Sequence, residues 1–377
     1  MAKNQAAWIT EAKGKPLKVQ EAPDPKPGPG EVVIKNAAIA INVCVYSLPL
    51  PPVVLEACIP AACGLEDSEL RLYLATLGKK AADTHEGIFL QKFPSILGTD
   101  VAGTIEEVGE GVDRLKKGQR VIGHAAGIAT GDSADTAFQL YTKTLEILVS
   151  PIPDSLSFEE ATVLPLAIST AAAGLYQKTH LALPHPSTNP QPTGQTLLVW
   201  GGSSSVGATA IQLAVASGLK VVATASSRNH DFVKSLGAAA VIDYNSPSVV
   251  DEILAAIEAQ GGKFAGAYDA ISEPGSLKHI GAITDKLGPA SVAVVLPPPD
   301  GLTKTIEVKK VVAPSIGLEQ KDVGDAVWRK FVPQALASGQ LKAKPDPLVV
   351  GKGLEKIQEA LDKQQAGVSA KKVVVSL

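Results

Sequence analysis

Residues 197–207 read LLVWGGSSSVG and contain the most informative pattern in this 377-residue chain. The apolar start, which ends at Trp200, predicts a short buried strand, and the glycines and serines after it predict a tight turn. Residues 206–217 have the apolar spacing of a helix. A strand, a Gly-rich turn and a helix in this order are typical of the βαβ unit that binds dinucleotides.

The turn contains the pattern Gly202-x-Ser204-x-x-Gly207, a dinucleotide motif in which serine replaces the middle glycine. Gly202 permits the tight turn, and Gly207 lets the helix approach the strand closely. The helix start offers free N–H groups and a positive dipole end to a pyrophosphate. The simpler alternative is a loop that only caps a helix, and the βαβ context argues against it. The predicted cofactor contacts of this turn are Gly202, Ser203, Ser204, Ser205, Val206 and Gly207.

Further strands and helices alternate after this turn, which predicts a doubly wound parallel sheet in an α/β fold. The predicted strands are 197–200, 219–225, 240–242, 265–271 and 291–296, and the predicted helices are 206–217, 232–236 and 247–260. We expect Ser246 to cap the last of these helices, with Pro247 in its first turn.

An NAD site usually carries Asp or Glu about 20 residues beyond the glycines, where the carboxylate binds the ribose hydroxyls. Here residues 225–229 read ASSRN and contain no carboxylate. Arg228 and the serines Ser226 and Ser227 are groups that can bind a 2′-phosphate, although an ordinary capped helix start would look similar. The sequence therefore predicts NADPH rather than NADH as cofactor.

The first third of the chain has β-rich runs between Gly/Pro turns, which predicts a small β-domain with strands at 31–40, 100–108 and 120–123. The last third predicts helices at 322–337 and 354–364 and a strand at 372–375.

Composition excludes several classes of protein. A net charge of −3 excludes a nucleic-acid binder that works through bulk positive charge. Three cysteines exclude a disulfide scaffold and favour a reducing compartment. The first twenty residues contain no apolar signal region, and prolines interrupt the uncharged stretch 36–55. We therefore expect a cytoplasmic protein with no membrane segment.

Residues 96–109 (ILGTDVAGTIEEVG) resemble the glycine-rich signature of the medium-chain dehydrogenase/reductase superfamily. Residues 198–203, 210–214, 235–238 and 241–244 resemble its quinone-reductase-like branch. Within that branch, residues 184–194, 200–203 and 296–299 resemble the fungal zinc-independent, toxD-like and trans-acting enoyl reductases.

This resemblance implies a GroES-like β-rich catalytic domain (1–165), a Rossmann domain that binds NADPH (166–304) and a C-terminal return to the first domain (305–377). It implies hydride transfer from NADPH to a carbon–carbon double bond conjugated to a carbonyl group. It places Ser226, Ser227, Arg228 and Asn229 at the 2′-phosphate, Tyr244 at the adenosine and Thr170 near the nicotinamide and substrate. It also places Leu296 and Pro297 at the nicotinamide ribose and Val368 and Ser369 against the cofactor. A buried core aromatic is the alternative for Tyr244, and a helix residue bonded to its own backbone is the alternative for Thr170.

No metal site is expected. The zinc dehydrogenases of this superfamily carry Gly-His-Glu where this chain has Gly98-Thr99-Asp100, and threonine cannot replace the imidazole ligand. The chemistry is then mainly positioning and stabilisation of the enolate oxygen. The candidate hydrogen-bonding residues are Asn42, Thr170 and Tyr46, and the sequence identifies no proton donor.

Residues 43–86 depart from the family pattern as an insert of 44 residues, where the family usually has a short segment containing Pro-x-Asp. Three explanations stay open: a lid or docking element, translated intron sequence, or a surface loop without a role. The second is the one we favour.

Two functions follow as hypotheses. The first is an NADPH-dependent reductase of an enoyl, enone or quinone substrate, free or bound to a carrier, with a polyketide synthase as a potential partner and a monomeric or homodimeric state. The second is a non-catalytic NADPH-binding protein whose cleft is altered by the insert.

Overall fold

The computed structural model describes residues 3–11, 14–42, 93–299 and 301–377. The insert 43–86 and Tyr46 therefore lie outside the described residues. The strands in chain order are β1 Gln5–Ile9, β2 Lys18–Glu21, β3 Glu31–Ala40, β4 Ser95–Ile96, β5 Asp100–Val108, β6 Arg120–His124, β7 Tyr141–Leu145, β8 Val149–Pro151, β9 Gln195–Trp200, β10 Lys220–Thr224, β11 Ala240–Ile242, β12 Lys263–Asp269, β13 Ala290–Val294, β14 Ile306–Lys310, β15 Asp346–Lys352 and β16 Lys371–Ser376.

The α-helices are α1 Gly127–Thr130, α2 Phe158–Ala161, α3 Pro165–Tyr176, α4 Ser205–Ala216, α5 His230–Ser235, α6 Val249–Gln260, α7 Pro274–Leu287, α8 Ser315–Leu318, α9 Lys321–Gly324, α10 Val332–Ser338 and α11 Ile357–Gln365. A π-helix, Asp325–Phe331, joins α9 to α10, and short 3-10 turns span Ser133–Asp135, Glu146–Leu148, Ser227–Asn229 and Leu354–Lys356. Among the described residues, no helix is long and apolar enough to cross a bilayer.

Six parallel strands form the second sheet, in the order β11-β10-β9-β12-β13-β14. The chain extends this sheet in both directions from β9. β10 and β11 lie on one side of β9, and β12, β13 and β14 lie on the other. Ligands of doubly wound sheets bind at such a switch point, outside the carboxyl ends of the strands. The predicted Rossmann-like sheet is confirmed.

The first sheet is formed mainly by the predicted β-domain and follows the order β15-β16-β3-β5-β6-β8, with β7 also paired to β3. A smaller sheet, β2-β1-β4, belongs to the same part of the chain. β16 lies between β15 and β3, so the C-terminal strand completes a sheet that the first hundred residues begin. The proposed domain boundaries at residues 165 and 304 stay predictions.

Several elements were predicted correctly, and β3, β5 and β11 have the predicted bounds. The helix predicted at 247–260 begins instead at Val249 with Ser248 as N-cap, because the Ser246 side chain bonds to Glu252 inside the helix. The continuous helix predicted at 322–337 is interrupted by the π-helix. Strand β14 was not predicted, since its sequence IEVKK is half polar and lies at the sheet edge.

Candidate cofactor site and catalytic cleft

The predicted cofactor residues meet at the carboxyl edge of the parallel sheet. The turn 201–207 follows β9, residues 226–229 follow β10, Tyr244 follows β11, and Leu296 and Pro297 follow β13. The carboxyl ends of parallel strands share one edge, so four separate segments are brought to the same place.

The Gly-rich turn has the close packing that the motif requires. A Cβ added to Gly207 would lie 2.2 Å from the backbone oxygen of Gly201, so only glycine fits where α4 approaches β9. The Ser204 side chain caps α4 by accepting a hydrogen bond from the Gly207 N–H at 3.0 Å. Gly201 has a φ of 80°, a conformation that favours glycine.

Ser205 supplies a further polar group at this helix start. Its Oγ is buried and makes no hydrogen bond among the residues that the structure describes. A buried hydroxyl without a partner is costly, and a phosphate oxygen at the helix N-terminus would satisfy it. The turn therefore fits a dinucleotide pyrophosphate.

The predicted 2′-phosphate site has two features in its favour. Arg228 is exposed in the turn after β10, so its guanidinium is available to an anion. The Asn229 Nδ2 donates to Ser226 Oγ at 3.1 Å and to Ser369 Oγ at 3.3 Å. The second bond joins the C-terminal segment to this turn, so Ser369 lies beside Asn229.

A carboxylate also lies at this site, which the sequence argument missed. Asp243, at the end of β11, accepts a hydrogen bond from the Ser227 N–H at 3.2 Å. Hydrogen bonds from Asn245 and Ser227 lower the pKa of Asp243, so it is negatively charged at neutral pH. Ser227 follows β10 and Asp243 follows β11, so the two residues become neighbours only when these strands pair. Asp243 opposes, and Arg228 favours, a 2′-phosphate.

The remaining predicted contacts occupy open or half-buried positions. Tyr244 is 42% exposed, so it is not the core aromatic that was the alternative. Leu296 and Pro297 are half-buried just beyond β13, and Val368 packs against the core of the first sheet. The Ser272 Oγ donates to the Asp269 carbonyl and accepts from the Val295 N–H, both at 2.8 Å. It thereby ties β12 to the segment that carries Leu296.

A row of polar side chains crosses four strands of the first sheet, and we call it the polar row. Alternate residues of these strands face the core that the sheet shares with α3: Ala38 and Ala40 of β3, Ala102 of β5, Ile122 of β6 and Val374 of β16. The members of the polar row are each two residues along the chain from one of these apolar residues, so they lie on the same face of the sheet. They are Asn42, Asp100, His124 and Lys372. All four are buried.

The centre of the polar row is a closed hydrogen-bond network. The Asn42 Nδ2 donates to Thr99 Oγ1 at 2.9 Å and to Asp100 Oδ2 at 2.8 Å. The Lys372 ammonium donates to the Asn42 carbonyl oxygen and lies 3.2 Å from Asp100 Oδ2. Both N–H groups and the carbonyl of Asn42 are therefore engaged within the protein.

Asp100 also links the polar row to helix α3. Its Oδ1 accepts a hydrogen bond from the Leu166 N–H at 2.6 Å, in the first turn of that helix. Thr170 lies one turn further, where its hydroxyl donates to the Leu166 carbonyl at 2.6 Å. Thr170 thus makes the local backbone bond that was the alternative for it, and its hydroxyl proton is engaged.

His124 is the fourth member of the polar row and is paired with Asp100 across β5 and β6. Its Nδ1 lies 2.9 Å from Ser169 Oγ, which also accepts a hydrogen bond from Trp328 Nε1 at 3.1 Å. Burial lowers the pKa of His124 to about 4, and the nearby Asp100 carboxylate opposes that shift. The imidazole is therefore neutral at pH 7.

The described residues do not fit a zinc ion at the polar row. Thr99 offers a hydroxyl where a zinc dehydrogenase offers an imidazole, and that hydroxyl accepts from Asn42. The Lys372 ammonium beside it would repel a dication. No group of three or more His, Cys, Asp or Glu able to hold a metal occurs in ranges 3–11, 14–42, 93–299 and 301–377.

Sequence reasoning missed His124 and Lys372. Lys372 stands next to Lys371 in a charged pair that resembles an ordinary solvated strand start. The available signal was the alternation of Lys372 with Val374, because the two occupy the same face of one strand. His124 likewise alternates with Ile122.

Comparisons with known proteins agree with this architecture. Residues 61–153 match the family described as alcohol dehydrogenase GroES-like domain, and residues 205–335 match the family described as zinc-binding dehydrogenase. The trans-enoyl reductase himH of Aspergillus japonicus is 43% identical over 374 residues, 99% of this chain and 97% of that protein. The dehydrogenase orsE of Emericella nidulans is 39% identical over 393 residues, with full coverage of both chains. An alcohol dehydrogenase superfamily protein from Novosphingobium aromaticivorans shares the fold with a TM-score of 0.72, at 22% identity and 99% coverage of each chain.

A GroES-like sheet joined to a doubly wound sheet with a dinucleotide turn defines a nucleotide-dependent oxidoreductase. The chain belongs to the medium-chain dehydrogenase/reductase superfamily, whose members bind NAD(P)H, and its relatives include fungal trans-enoyl reductases and dehydrogenases. The resemblance found in the sequence is confirmed.

Proposed function

We propose that this protein is a zinc-independent, NADPH-dependent reductase of the carbon–carbon double bond of an enoyl, enone or quinone substrate. The observation that carries the proposal is the dinucleotide turn, whose Ser205 hydroxyl has no partner among the described residues. The polar row, which contains an ammonium group in place of metal ligands, supports the zinc-independent chemistry. The 43% identical relative is a trans-enoyl reductase, which supports the reaction class.

The residues proposed to hold the cofactor are those that the family resemblance implies, and the position of most of them at the carboxyl edge of the parallel sheet supports the assignment. Ser203 to Gly207 would bind the pyrophosphate, and Arg228 with Asn229 and Ser369 would surround the 2′-phosphate. Tyr244 would lie against the adenosine, and Leu296 and Pro297 against the nicotinamide ribose. When bound, the cofactor supplies a hydride, and the chain supplies binding, orientation and stabilisation of charge on the substrate oxygen.

The substrate side of the proposal is an α,β-unsaturated acyl chain, presented free or on a carrier by a polyketide synthase in fungal secondary metabolism. The enoyl substrate rests on the names of the relatives, which are trans-enoyl reductases. The carrier and the synthase rest on the family resemblance of the sequence, and a monomer or homodimer would serve equally. Domain boundaries at residues 165 and 304 belong to the same proposal.

The test is NADPH oxidation by the purified full-length protein with a panel of enoyl thioesters, enones and quinones, beside NADPH binding by fluorescence. Turnover of an enoyl thioester in metal-free protein, checked by metal analysis, is the expected result. NADPH binding without turnover of any substrate would overturn the proposal and favour the non-catalytic alternative.

The cofactor preference is tested by two variants with opposite effects. Arg228→Ala should weaken NADPH binding roughly tenfold, because a charge-assisted hydrogen bond to the phosphate is lost at an exposed site. Asp243→Asn removes the neighbouring negative charge and should strengthen NADPH binding. NADH affinity should change little in Arg228→Ala. Equal affinities of the wild-type protein for NADH and NADPH would refute the preference.

A further inference from the structure

We infer that Ser272 is a positioning residue for the nicotinamide half of the cofactor, and that it acts by holding the segment after β13 in place. The inference rests on the NADPH binding proposed above and adds a residue that the predicted cofactor contacts do not include. Ser272 is 3% exposed, so its side chain acts through its neighbours and need not touch the cofactor.

The topology of the parallel sheet separates the two halves of a bound dinucleotide. The pyrophosphate belongs at the start of α4, beyond the carboxyl end of β9, from which the sheet extends to both sides. Arg228 and Tyr244, which are proposed for the adenosine half, follow β10 and β11 on one side of β9. The nicotinamide half must therefore lie on the other side, at the carboxyl ends of β12 and β13.

Ser272 lies in the turn that follows β12, and this turn packs on the dinucleotide turn. A Cβ added to Gly201 would lie 2.5 Å from Ile271 Cγ1, so the two turns are in contact. The Oδ1 of the buried Asp269 accepts from the N–H groups of Ile271 at 3.0 Å and Ser272 at 2.8 Å. Its Oδ2 accepts from the Ser276 hydroxyl at 2.6 Å, in the first turn of α7. The turn is thus fixed to the strand before it and to the helix after it.

The backbone of Ser272 is strained, because its φ of 57° lies in the left-handed region that favours glycine. Strain of this kind persists only where the surroundings hold the residue, and it clusters at functional sites. Glycine would avoid the strain but would lack a hydroxyl group. The side chain of Ser272 is therefore the part that gives serine an advantage at this position.

The Ser272 hydroxyl connects the ends of two neighbouring strands. It donates to the Asp269 carbonyl and accepts from the Val295 N–H, both at 2.8 Å. The paired residues of β12 and β13 end at Asp269 and Val294, so this bond extends the connection one residue beyond the sheet. Leu296 comes next, and it is proposed to lie against the nicotinamide ribose. Loss of the hydroxyl would free the segment that carries Leu296 from β12.

The simpler alternative is that Ser272 only closes the turn before α7. That role needs the bonds of Asp269, which stay within the turn and the helix, and it gives no reason for a hydroxyl bonded to the next strand. The two roles have different consequences. A residue that only closes the turn should affect stability, or both halves of the cofactor alike, whereas a positioning residue should affect the nicotinamide half alone.

The test compares two ligands by titration calorimetry. NADPH carries both halves of the cofactor, whereas adenosine 2′,5′-bisphosphate carries the adenosine with its 2′-phosphate and one further phosphate. Ser272→Ala and Ser272→Gly both remove the hydroxyl, but only glycine also relieves the backbone. We expect both variants to bind NADPH about tenfold more weakly, the size of one lost hydrogen bond, and adenosine 2′,5′-bisphosphate within about twofold of the wild type.

Ser217→Ala is the matched control. Ser217 is also buried, and its hydroxyl bonds to the Leu213 carbonyl at 3.0 Å, at the opposite end of α4 from the dinucleotide turn. This variant should lower the melting temperature and leave both affinities unchanged. Ser272→Gly should melt at a higher temperature than Ser272→Ala, because glycine adopts the left-handed backbone without strain. NADPH affinity should therefore follow the hydroxyl and not the stability.

Three results would each overturn the role of Ser272: unchanged NADPH affinity in both variants, an equal loss of affinity for both ligands, or recovery of NADPH affinity in Ser272→Gly. Failure of the proposed function would be seen in the wild type instead, as NADPH binding without turnover of any substrate. The comparison of the two ligands needs no turnover, so it would still decide the role of Ser272.

Discussion

Replacing Lys372 by methionine should destabilise the fold by about 3 kcal/mol, because the change leaves a buried carboxylate without its cation. Asp100 is fully buried, the Lys372 side chain is 5% exposed, and their charged atoms are 3.2 Å apart. Breaking such a pair from one side costs about 3–5 kcal/mol. We expect the low end of this range, because Asp100 keeps hydrogen bonds from Asn42 and the Leu166 N–H.

Urea unfolding followed by tryptophan fluorescence measures this loss at pH 8 and pH 5.5. The variant leaves the buried Asp100 carboxylate without its cation, so it should be less stable than the wild type at both pH values. Asp100→Asn should restore much of the stability in the double variant.

The control is Lys371→Met, since that neighbour is exposed and pairs with the exposed Asp346 at 3.2 Å. It should change stability by no more than about 0.5 kcal/mol. A Lys372→Met protein as stable as the wild type at both pH values would refute the buried ion pair.

Three further predictions concern the turn and the polar row. Gly207→Ala should destabilise by about 1–3 kcal/mol in urea unfolding and abolish NADPH binding, whereas Gly275→Ala, in open space in α7, should be neutral or stabilising. Ser205→Ala should leave the cofactor-free protein as stable as before and weaken NADPH binding about fivefold in fluorescence titration, and unchanged affinity would contradict the phosphate contact. His124 should make the protein acid-sensitive, because the unfolded chain takes up a proton near pH 6.5 that the folded chain accepts only near pH 4. The free energy of unfolding that the neutral His124 contributes is fully present above pH 6.5 and is lost as pH falls towards 4. Lowering the pH from 7.5 to 5.0 should therefore reduce the free energy of unfolding of the wild type by about 2 kcal/mol more than that of His124→Gln.

Local patterns predicted the parts of the fold that depend on nearby residues. The strand β3 and the turn after β9 could be identified because their turn residues and apolar periods are contiguous. The contact of Asn42 with Lys372 spans 330 residues and depends on the pairing of β3 with β16. No pattern within the sequence alone indicates the register in which β3 and β16 pair.

The approach of Asp243 to Ser227 has the same origin, since it needs β11 beside β10. The π-helix was missed for a different reason. Its residues have ordinary helical spacing, and the wider turn is visible only in the backbone bonds.

The polar row also bears on how the chain finds its native pairing. A shift of β16 by one residue would turn Lys372 towards the apolar core of the first sheet and set Val373 against the Asp100 carboxylate. Either mismatch leaves a charge buried without a partner, and the run Val373, Val374 and Val375 offers no other distinction between the two faces. Lys372 therefore determines the register of β16. The cost of an unpaired buried charge destabilises the shifted pairings, which burial of the valines alone would not distinguish from the native one.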